Sequence, residues 1–253
     1  LDGLFVPAHV FTPFKSLYGK GVQRSLTEVF DRDMIDAVEL GLSSDTLMAD
    51  QITELHHYPF LSNSDAHSLS KMAREYQKLK LEKPTFLELK LALRERDGRK
   101  ICANYGLNPK LGKYYRTTCE KCFVIHNHPD AICSNCGHSR FTKGVYERLR
   151  ELKGNESNPR SRPPYIHQVP LEYIPGIGPK TMKKLRDHFH TEMNVIHNAA
   201  LEELNRVIPE KTAKLIMLAR VGQLEFVEGG GGKYGRVKHQ PRNSQKTESK
   251  MKS

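Results

Sequence analysis

The sequence predicts a protein of mixed α/β class that is divided into three structural parts. Short apolar segments alternate with helical segments in the first 98 residues, a pattern typical of parallel α/β arrangements. Four of the five cysteines lie within residues 119–136, and residues 171–226 have the pattern of a series of short helices. We therefore expect an α/β lobe, a unit built on four cysteines and a helical domain, in that order.

Apolar runs and helical periods place the individual elements. Buried strands are expected at residues 3–8, 35–40 and 59–64. Helices are expected at residues 24–33, 45–56, 68–77, 85–98 and 144–153. Residues 99–118 are basic and lack a clear period, so we expect a loop there.

The net charge of +11 is distributed unevenly along the chain. Residues 1–60 contain 4 Lys or Arg and 9 Asp or Glu, whereas residues 233–253 contain 7 and 1. An acidic front and a basic back suit an active-site domain followed by a region that contacts phosphate backbones. A solvated basic tail without a partner would produce the same distribution at the end of the chain.

The sequence contains no membrane or secretion signal. No segment approaches the roughly 18 apolar residues of a membrane span, and the first residues show no signal-peptide pattern. We therefore expect a protein without membrane contact that works in the cytoplasm, associated with the nucleoid if the cell is prokaryotic.

The cysteines have the spacing C-x2-C-x10-C-x2-C, formed by Cys119, Cys122, Cys133 and Cys136. Two such pairs supply the four thiolates of a tetrahedral Zn²⁺ site, and the stretch is typical of a zinc ribbon. Two disulfides or a redox pair are the alternatives, and nothing in the sequence points to an oxidising compartment. Because cysteines fill all four positions, this zinc is expected to be structural. Cys102 is expected to be a small buried side chain.

A second group of metal-binding residue types follows the predicted strands. His9 comes at the end of the first strand, and Asp65 and His67 directly follow the third. In a parallel α/β domain these strand ends form the ligand-bearing edge. Asp and His side chains there suit Zn²⁺ or Mn²⁺ in hydrolysis. Taken singly, each of the three residues could equally be structural or arise by chance.

The segment IPGIGPKTMKKLRDHF (174–189) is a helix-hairpin-helix signature. Its glycines allow a tight turn with exposed N–H groups, and lysines follow at the start of a helix, so the segment can bind a DNA phosphate. The spacing does not fit a nucleotide P-loop. The expected DNA-binding residues are Gly176, Ile177, Gly178, Lys180, Thr181, Lys183 and Lys184. Residues 200–220 resemble a second hairpin without glycines, which we expect to pack against the first.

Several motifs together resemble one known family. PAHVFTPFKSLYG, AVELGLSSD and SNSDAH look like the later motifs of the polymerase-and-histidinol-phosphatase (PHP) domain. They are followed by KICANYGLNPKLGKYYRTTCEKC, the cysteine unit, IPGIGPKT and GGGGKYG, an order that resembles the endonuclease Q family. The resemblance covers residues 1 to about 237.

The resemblance implies a fold and an activity. The fold would be a PHP-type (β/α)7 barrel with metal ions at its mouth, followed by a zinc ribbon and a helix-hairpin-helix domain. The activity would be that of a metal-dependent DNA repair endonuclease, which cuts 5′ to uracil, hypoxanthine, xanthine or an abasic site. By motif, His9, Asp65 and His67 would be metal ligands and catalytic residues, with Zn²⁺, Mn²⁺ or Mg²⁺ bound.

The opening His-x-His strand of PHP domains does not occur in this sequence. We therefore expect a partial barrel, a chain that corresponds to the C-terminal portion of the family, and weak activity from this segment alone.

Glu39, Ser43 and Ser44 are candidates for a pocket that reads a base flipped out of the duplex, because carboxylate and hydroxyl groups can pair with polar base edges. Alternatively, Glu39 is a neighbour of the metal site and the serines cap a helix, a role for which Asp45 competes. The run GGGGKYG (229–235) could be a linker by composition, but the resemblance favours DNA contact by Lys233 and Tyr234.

These observations predict five regions: a partial PHP domain (1–98), the zinc ribbon with its flanking loop and helix (99–153), a linker (154–170), the hairpin domain (171–228), and a glycine-rich loop with a disordered basic tail (229–253). Two other functions remain open at this point. One is a phosphoesterase for a small molecule, which the basic second half disfavours. The other is a DNA-binding module that does not cleave.

Overall fold

The computed structural model of the chain describes residues 3–127, 131–154 and 161–238. Residues 155–160 of the predicted linker and residues 239–253 of the predicted disordered tail lie outside the described residues. The strands, in chain order, are β1 (Val38–Glu39), β2 (Phe60–Leu61), β3 (Tyr76–Lys80), β4 (Lys100–Leu107), β5 (Thr118–Cys119), β6 (Phe141–Thr142), β7 (Tyr165–Gln168), β8 (Phe226–Val227) and β9 (Arg236–Val237). The α-helices are α1 (Thr46–Ala49), α2 (Phe86–Leu93), α3 (Val145–Leu152), α4 (Pro179–Phe189), α5 (Glu192–His197), α6 (Leu201–Val207) and α7 (Glu210–Arg220).

The first lobe is built on the parallel pair β1 and β2. Residues 5–7 run alongside β1, where the N–H groups of Asp36 and Glu39 donate to the carbonyls of Phe5 and Pro7, each at 3.0 Å. The parallel arrangement of the three predicted apolar segments is therefore confirmed. The first segment is extended rather than a regular strand, and Pro7 has no N–H to donate.

The predicted helices of this lobe are mostly short turns. Residues 24–33 form two 3₁₀ turns, Leu26–Glu28 and Arg32–Met34, because Ser25 and Asp31 each start a new capped turn. Residues 45–56 contain only α1 and the turn Thr53–His57. The helix predicted at 68–77 is wrong, since one 3₁₀ turn there (Leu69–Lys71) leads into β3, whereas the helix predicted at 85–98 is present as α2.

A second sheet has the order β3-β4-β7, with β3 antiparallel and β7 parallel to β4. The loop predicted at 99–118 is thus wrong for β4, and β7 lies inside the predicted linker. The alternation of β4 was obscured by Asn104, a fully buried polar residue. Its amide donates to the carbonyl of Phe60 at 3.1 Å and so ties β4 to β2.

The cysteine unit and the helical domain follow this sheet. Strands β5 and β6 form a small antiparallel hairpin, and α3 after it packs on the first lobe, with Arg148 donating to the carbonyl of Tyr18 at 2.8 Å. Helices α4 to α7 enclose an apolar core that includes Leu185, Leu204 and Ile216. None of the helices among the described residues is long and apolar enough to cross a membrane.

Candidate active site and nucleic-acid interface

A cavity of about 260 Å³ opens where β1 and β2 end, and several predicted site residues meet in it. The side chains of His9, Asp65 and His67 line it, together with Ser43 and Tyr234. Segments 7–14, 41–45, 62–67 and 229–235 therefore come together in space. The remaining lining residues are Thr12, Gly41, Leu42, Ser64, Lys71, Arg74, Lys113 and Tyr114.

His9 is held in an unusual backbone conformation at the base of this cavity. Its φ angle is 36°, in the left-handed region that side-chain-bearing residues rarely adopt. Its N–H donates to the carboxylate of Glu39. The Nδ1 atom is buried and has no hydrogen-bond partner among the described residues. Because buried polar atoms are nearly always paired, this nitrogen fits a metal ligand.

Asp65 and His67 lie at the mouth of the cavity. Asp65 is also left-handed, with a φ of 45°. Its Oδ1 is 3.8 Å from Nε2 of His67, and the two side chains are 62% and 89% exposed. Among the described residues, the only group of three or more His, Cys, Asp or Glu with ligand atoms within 4.8 Å of one another is the cysteine cluster. His9, Asp65 and His67 thus share a cavity without forming a closed ligand set, and their catalytic and metal-binding roles stay a prediction.

Glu39 lies behind His9 and does not line the cavity. Its carboxylate is buried and accepts the N–H groups of His9 and Gly41, the latter at 2.8 Å. Burial raises the pKa of Glu39 although these backbone donors lower it. In this geometry Glu39 positions the turn that carries His9.

The two serines after β1 have different surroundings. Ser43 lines the cavity and accepts the N–H of Tyr114 at 3.4 Å. Ser44 is fully buried and donates to the carbonyl of Leu40 at 2.7 Å. Asp45, not a serine, caps α1 by accepting the N–H of Met48 at 2.9 Å. Base reading by Glu39, Ser43 and Ser44 remains a prediction, with Ser43 the one that faces the cavity.

Three cations at the cavity were not identified from the sequence: Lys71, Arg74 and Lys113. Arg74 is buried, and its Nε donates to Glu75 at 2.9 Å while Nη1 donates to Glu172 at 3.3 Å. Burial raises the pKa of Glu75 to about 7 despite the adjacent guanidinium. The signal in the sequence for Lys71 and Arg74 is their position just after SNSDAH, in a segment whose pattern predicts an ordinary helix.

The four cysteines form one cluster. The Sγ atoms of Cys119 and Cys136 are 3.6 Å apart, as are those of Cys122 and Cys133. Zn–S bonds of ~2.3 Å in a tetrahedron require sulfurs about 3.8 Å apart, so the cluster fits a zinc ion. The cluster could hold a metal ion and is consistent with structural zinc.

The hairpin turn before α4 has the predicted geometry. Gly176 is left-handed with a φ of 93°, Gly178 precedes α4 and Pro179 is its first residue. A Cβ on Gly176 would lie 2.6 Å from the hydroxyl of Thr212 in α7, so the second hairpin packs against the first as expected. Lys180, Lys183 and Lys184 are exposed beside this turn, Thr181 is half-buried and Ile177 is buried. Their contact with DNA stays a prediction.

The glycine-rich run is a packed loop rather than a linker. The N–H groups of Gly229, Gly232 and Gly235 donate to carbonyls in residues 110–113 at 2.8–2.9 Å. This close approach places Tyr234 in the cavity wall and Lys233 over the ring of Phe123, 3.6 Å from its centroid.

These features define a class of protein: an α/β protein with a cavity at its strand ends, a four-cysteine cluster and paired helical hairpins. Residues 170–220 match the family model of a SAM-like helix-hairpin-helix tandem.

Two solved structures are similar over nearly the whole chain. The lesion-specific endonuclease PfuEndoQ from Pyrococcus furiosus has a TM-score of 0.81 and 38% identity, covering 92% of this chain and 62% of that one. Endonuclease Q bound to a 27-mer duplex substrate with an abasic lesion at the active site has a TM-score of 0.83 and 36% identity, covering 94% and 64%.

The resemblance to the endonuclease Q family is thus confirmed. YqxK, an uncharacterized protein of Bacillus subtilis, is 58% identical over 94% of this chain and 62% of its own length. MJ0043 of Methanocaldococcus jannaschii, also uncharacterized, is 39% identical over 91% of this chain and 31% of its own length. The chain therefore spans less than two thirds of the length of each relative and each solved structure that it matches.

Proposed function

We propose that this chain is part of a DNA repair endonuclease that cuts the phosphodiester bond 5′ to a deaminated base or an abasic site. The observation that carries the proposal is the shared cavity. His9, which is far from Asp65 and His67 in the sequence, meets them there beside the cations Lys71 and Lys113. The similarity to endonuclease Q, including a complex with an abasic duplex, supports DNA as the substrate.

The residues of the cavity suit phosphodiester hydrolysis. The orphaned Nδ1 of His9 and the accessible groups of Asp65 and His67 would hold divalent metal, with Zn²⁺, Mn²⁺ or Mg²⁺ as candidates. Bound metal supplies Lewis acidity at the phosphate and lowers the pKa of water. The lysines stabilise the negative charge of the phosphate group, and Ser43 offers a hydroxyl to a base that enters the cavity.

Outside the cavity, the hairpin binds the DNA backbone. Exposed N–H groups near Gly176 and Gly178 and the lysines at the start of α4 contact phosphates, which provides affinity without sequence choice. Working on chromosomal DNA, such a protein would be located in the cytoplasm, at the nucleoid in a prokaryote.

An incision assay tests the proposal. The protein, prepared at the full length of its relatives, is incubated with Mg²⁺, Mn²⁺ or Zn²⁺ and a duplex that contains one uracil, one hypoxanthine or one abasic site. We expect a cut 5′ to the lesion, and a loss of at least about 100-fold in rate in Asp65→Ala, because metal ligands are essential to this chemistry. Exposed Asp33, at the opposite end of the strands, gives the control Asp33→Asn. Turnover of a small phosphomonoester with intact DNA would contradict the proposal.

A second candidate function applies to the segment alone. Because His9, Asp65 and His67 do not form a closed ligand set among the described residues, the segment could bind DNA without cleaving it. Retention of DNA by this chain with no incision in any of the three metals would support that function.

A further inference from the structure

The wall between two cavities contains the cations Lys71 and Arg74. On one side is the cavity of the candidate active site. On the other is a cavity of about 550 Å³ at the start of α4, lined by Gly178, Pro179 and Lys183. Lys71 and Arg74 line both cavities. The turn that carries them directly follows Asp65 and His67, so it connects the candidate active site with the hairpin domain.

Arg74 is fixed in this wall. Its side chain is only 7% exposed. Nε and Nη1 are used by Glu75 and Glu172, and the backbone carbonyl of Arg74 accepts the amide of Gln168 at 2.7 Å. Its Nη2 has no hydrogen-bond acceptor within the described ranges, and Lys71 forms no ion pair with a described residue. The wall therefore places a fixed guanidinium group, and an ammonium group without an ion pair among the described residues, between the two cavities.

The ion pairs of Arg74 leave room for an anion. Glu172 is 49% exposed, so its attraction to Arg74 is screened by water. Burial raises the pKa of Glu75, so the ionised form of this neighbour of Arg74 is disfavoured. A phosphate that reaches Arg74 from either cavity meets a guanidinium whose Nη2 has no acceptor among the described residues. Arg side chains recognise phosphate through such available N–H donors.

We propose that Lys71 and Arg74 form a second phosphate-binding site, which holds the DNA strand between the candidate active site and the start of α4. The proposal rests on the proposed function, since it takes DNA as the ligand. It adds a defined path: one strand passes from the site cavity across the wall to the hairpin, and the two DNA contacts become a continuous surface. Glu172 then competes with the phosphate for Arg74.

DNA binding by this chain at several salt concentrations tests the site. The probe is a labelled duplex with one tetrahydrofuran abasic analogue, followed by fluorescence anisotropy. Lys71→Gln should lower the slope of log Kd against log salt by about 1, as one phosphate contact is lost. Glu172→Gln should tighten binding by about threefold or more, because it removes the competing carboxylate. A purely structural ion pair would not produce that gain.

Matched controls come from the opposite end of β1 and β2. Arg94 and Asp33 line a separate cavity there, so Arg94→Gln and Asp33→Asn change the same net charges away from the wall. Lys180→Glu is the positive control for the hairpin. Two results would overturn this inference but leave the proposed function intact. One is an equal effect on DNA affinity of the wall variants and the distant controls. The other is an unchanged affinity and salt slope in Lys71→Gln while Lys180→Glu weakens binding. Failure of the unaltered chain to bind the duplex would instead overturn the proposed function.

Discussion

His9 and Asp65 show how single residues shape the candidate site. Both have left-handed backbone angles that are unfavourable for residues with side chains. His9 follows the extended residues 5–7 beside β1, and Asp65 follows β2 in the chain. Such strain persists only where the surroundings impose it, and it concentrates at functional sites. Buried Glu39, which accepts the N–H of His9, provides one of these constraints.

Glu75 makes stability depend on pH. Burial raises its folded-state pKa from 4.5 to about 7, so the folded protein keeps a proton in this range that the unfolded chain releases. The stabilisation is complete below pH 4.5 and is lost as the pH rises to about 7. The loss is at most about 3 kcal/mol. In Glu75→Gln, which stays neutral, the fall in stability between pH 5 and 8 should be smaller.

Urea midpoints at the two pH values measure this effect. Glu202→Gln, on the exposed surface of α6, is the matched control and should keep the pH dependence of the unaltered chain. An identical pH dependence in Glu75→Gln would show that the carboxyl is ionised throughout.

Individual site residues could be predicted from the sequence where a motif carried them. His9, Ser43, Asp65, His67 and Tyr234 do line one cavity. The cations could not be predicted, because their importance depends on which segments pack around the turn after His67. Nothing in the local order of residues shows that Lys113 and Asp65 line the same cavity.

At the scale of elements, the turn before α4 contains two glycines with different constraints. Gly176 has a left-handed backbone, and a Cβ added to it would lie 2.6 Å from the hydroxyl of Thr212. Gly178 has an ordinary φ, and a Cβ added to it would have no atom within 4 Å. Gly176→Ala should therefore destabilise the chain by about 1–2 kcal/mol through strain and crowding. Gly178→Ala should stay within about 0.5 kcal/mol. Thermal unfolding followed by circular dichroism compares the two, and equal losses would contradict the predicted asymmetry.

Helical elements were predicted best at α2, which the side chain of Thr85 caps, and at α3 and α4, which lack a side-chain cap but have a clear amphipathic period. The errors fall on β4, β7 and the turn before β3. Strand β4 contains Asn104, whose burial is favourable only because the carbonyl of Phe60 accepts its amide. That partner is 44 positions away, so the strand depends on tertiary contacts that a local period does not reveal.

At the scale of the whole molecule, the cysteine cluster connects distant parts of the chain. Gly230 and Gly231 pack against Thr118, the residue before Cys119, and the loop they belong to carries Tyr234 into the cavity. Removal of metal should therefore loosen residues 229–235 as well as the cysteine unit.

Hydrogen exchange before and after treatment with a strong chelator measures this coupling. Amides of Gly229, Gly232 and Gly235 should lose protection by about tenfold or more, since the loop that contains them packs against Thr118 beside Cys119. Amides within α4 to α7 serve as the internal control and should be unchanged. Protection of the loop that survives full loss of metal would show that the two parts are independent.

The packing of the glycine-rich loop also determines when the cavity is completed during synthesis. His9 and Tyr234 line the same cavity but are synthesised far apart in time, and the loop that holds Tyr234 lies between the paired strands β8 and β9. A chain that ends before residue 226 lacks Tyr234 and the loop that holds it, so its cavity lacks one part of the lining. The complete lining therefore forms only after residues 229–235 have been made and have packed against residues 110–113.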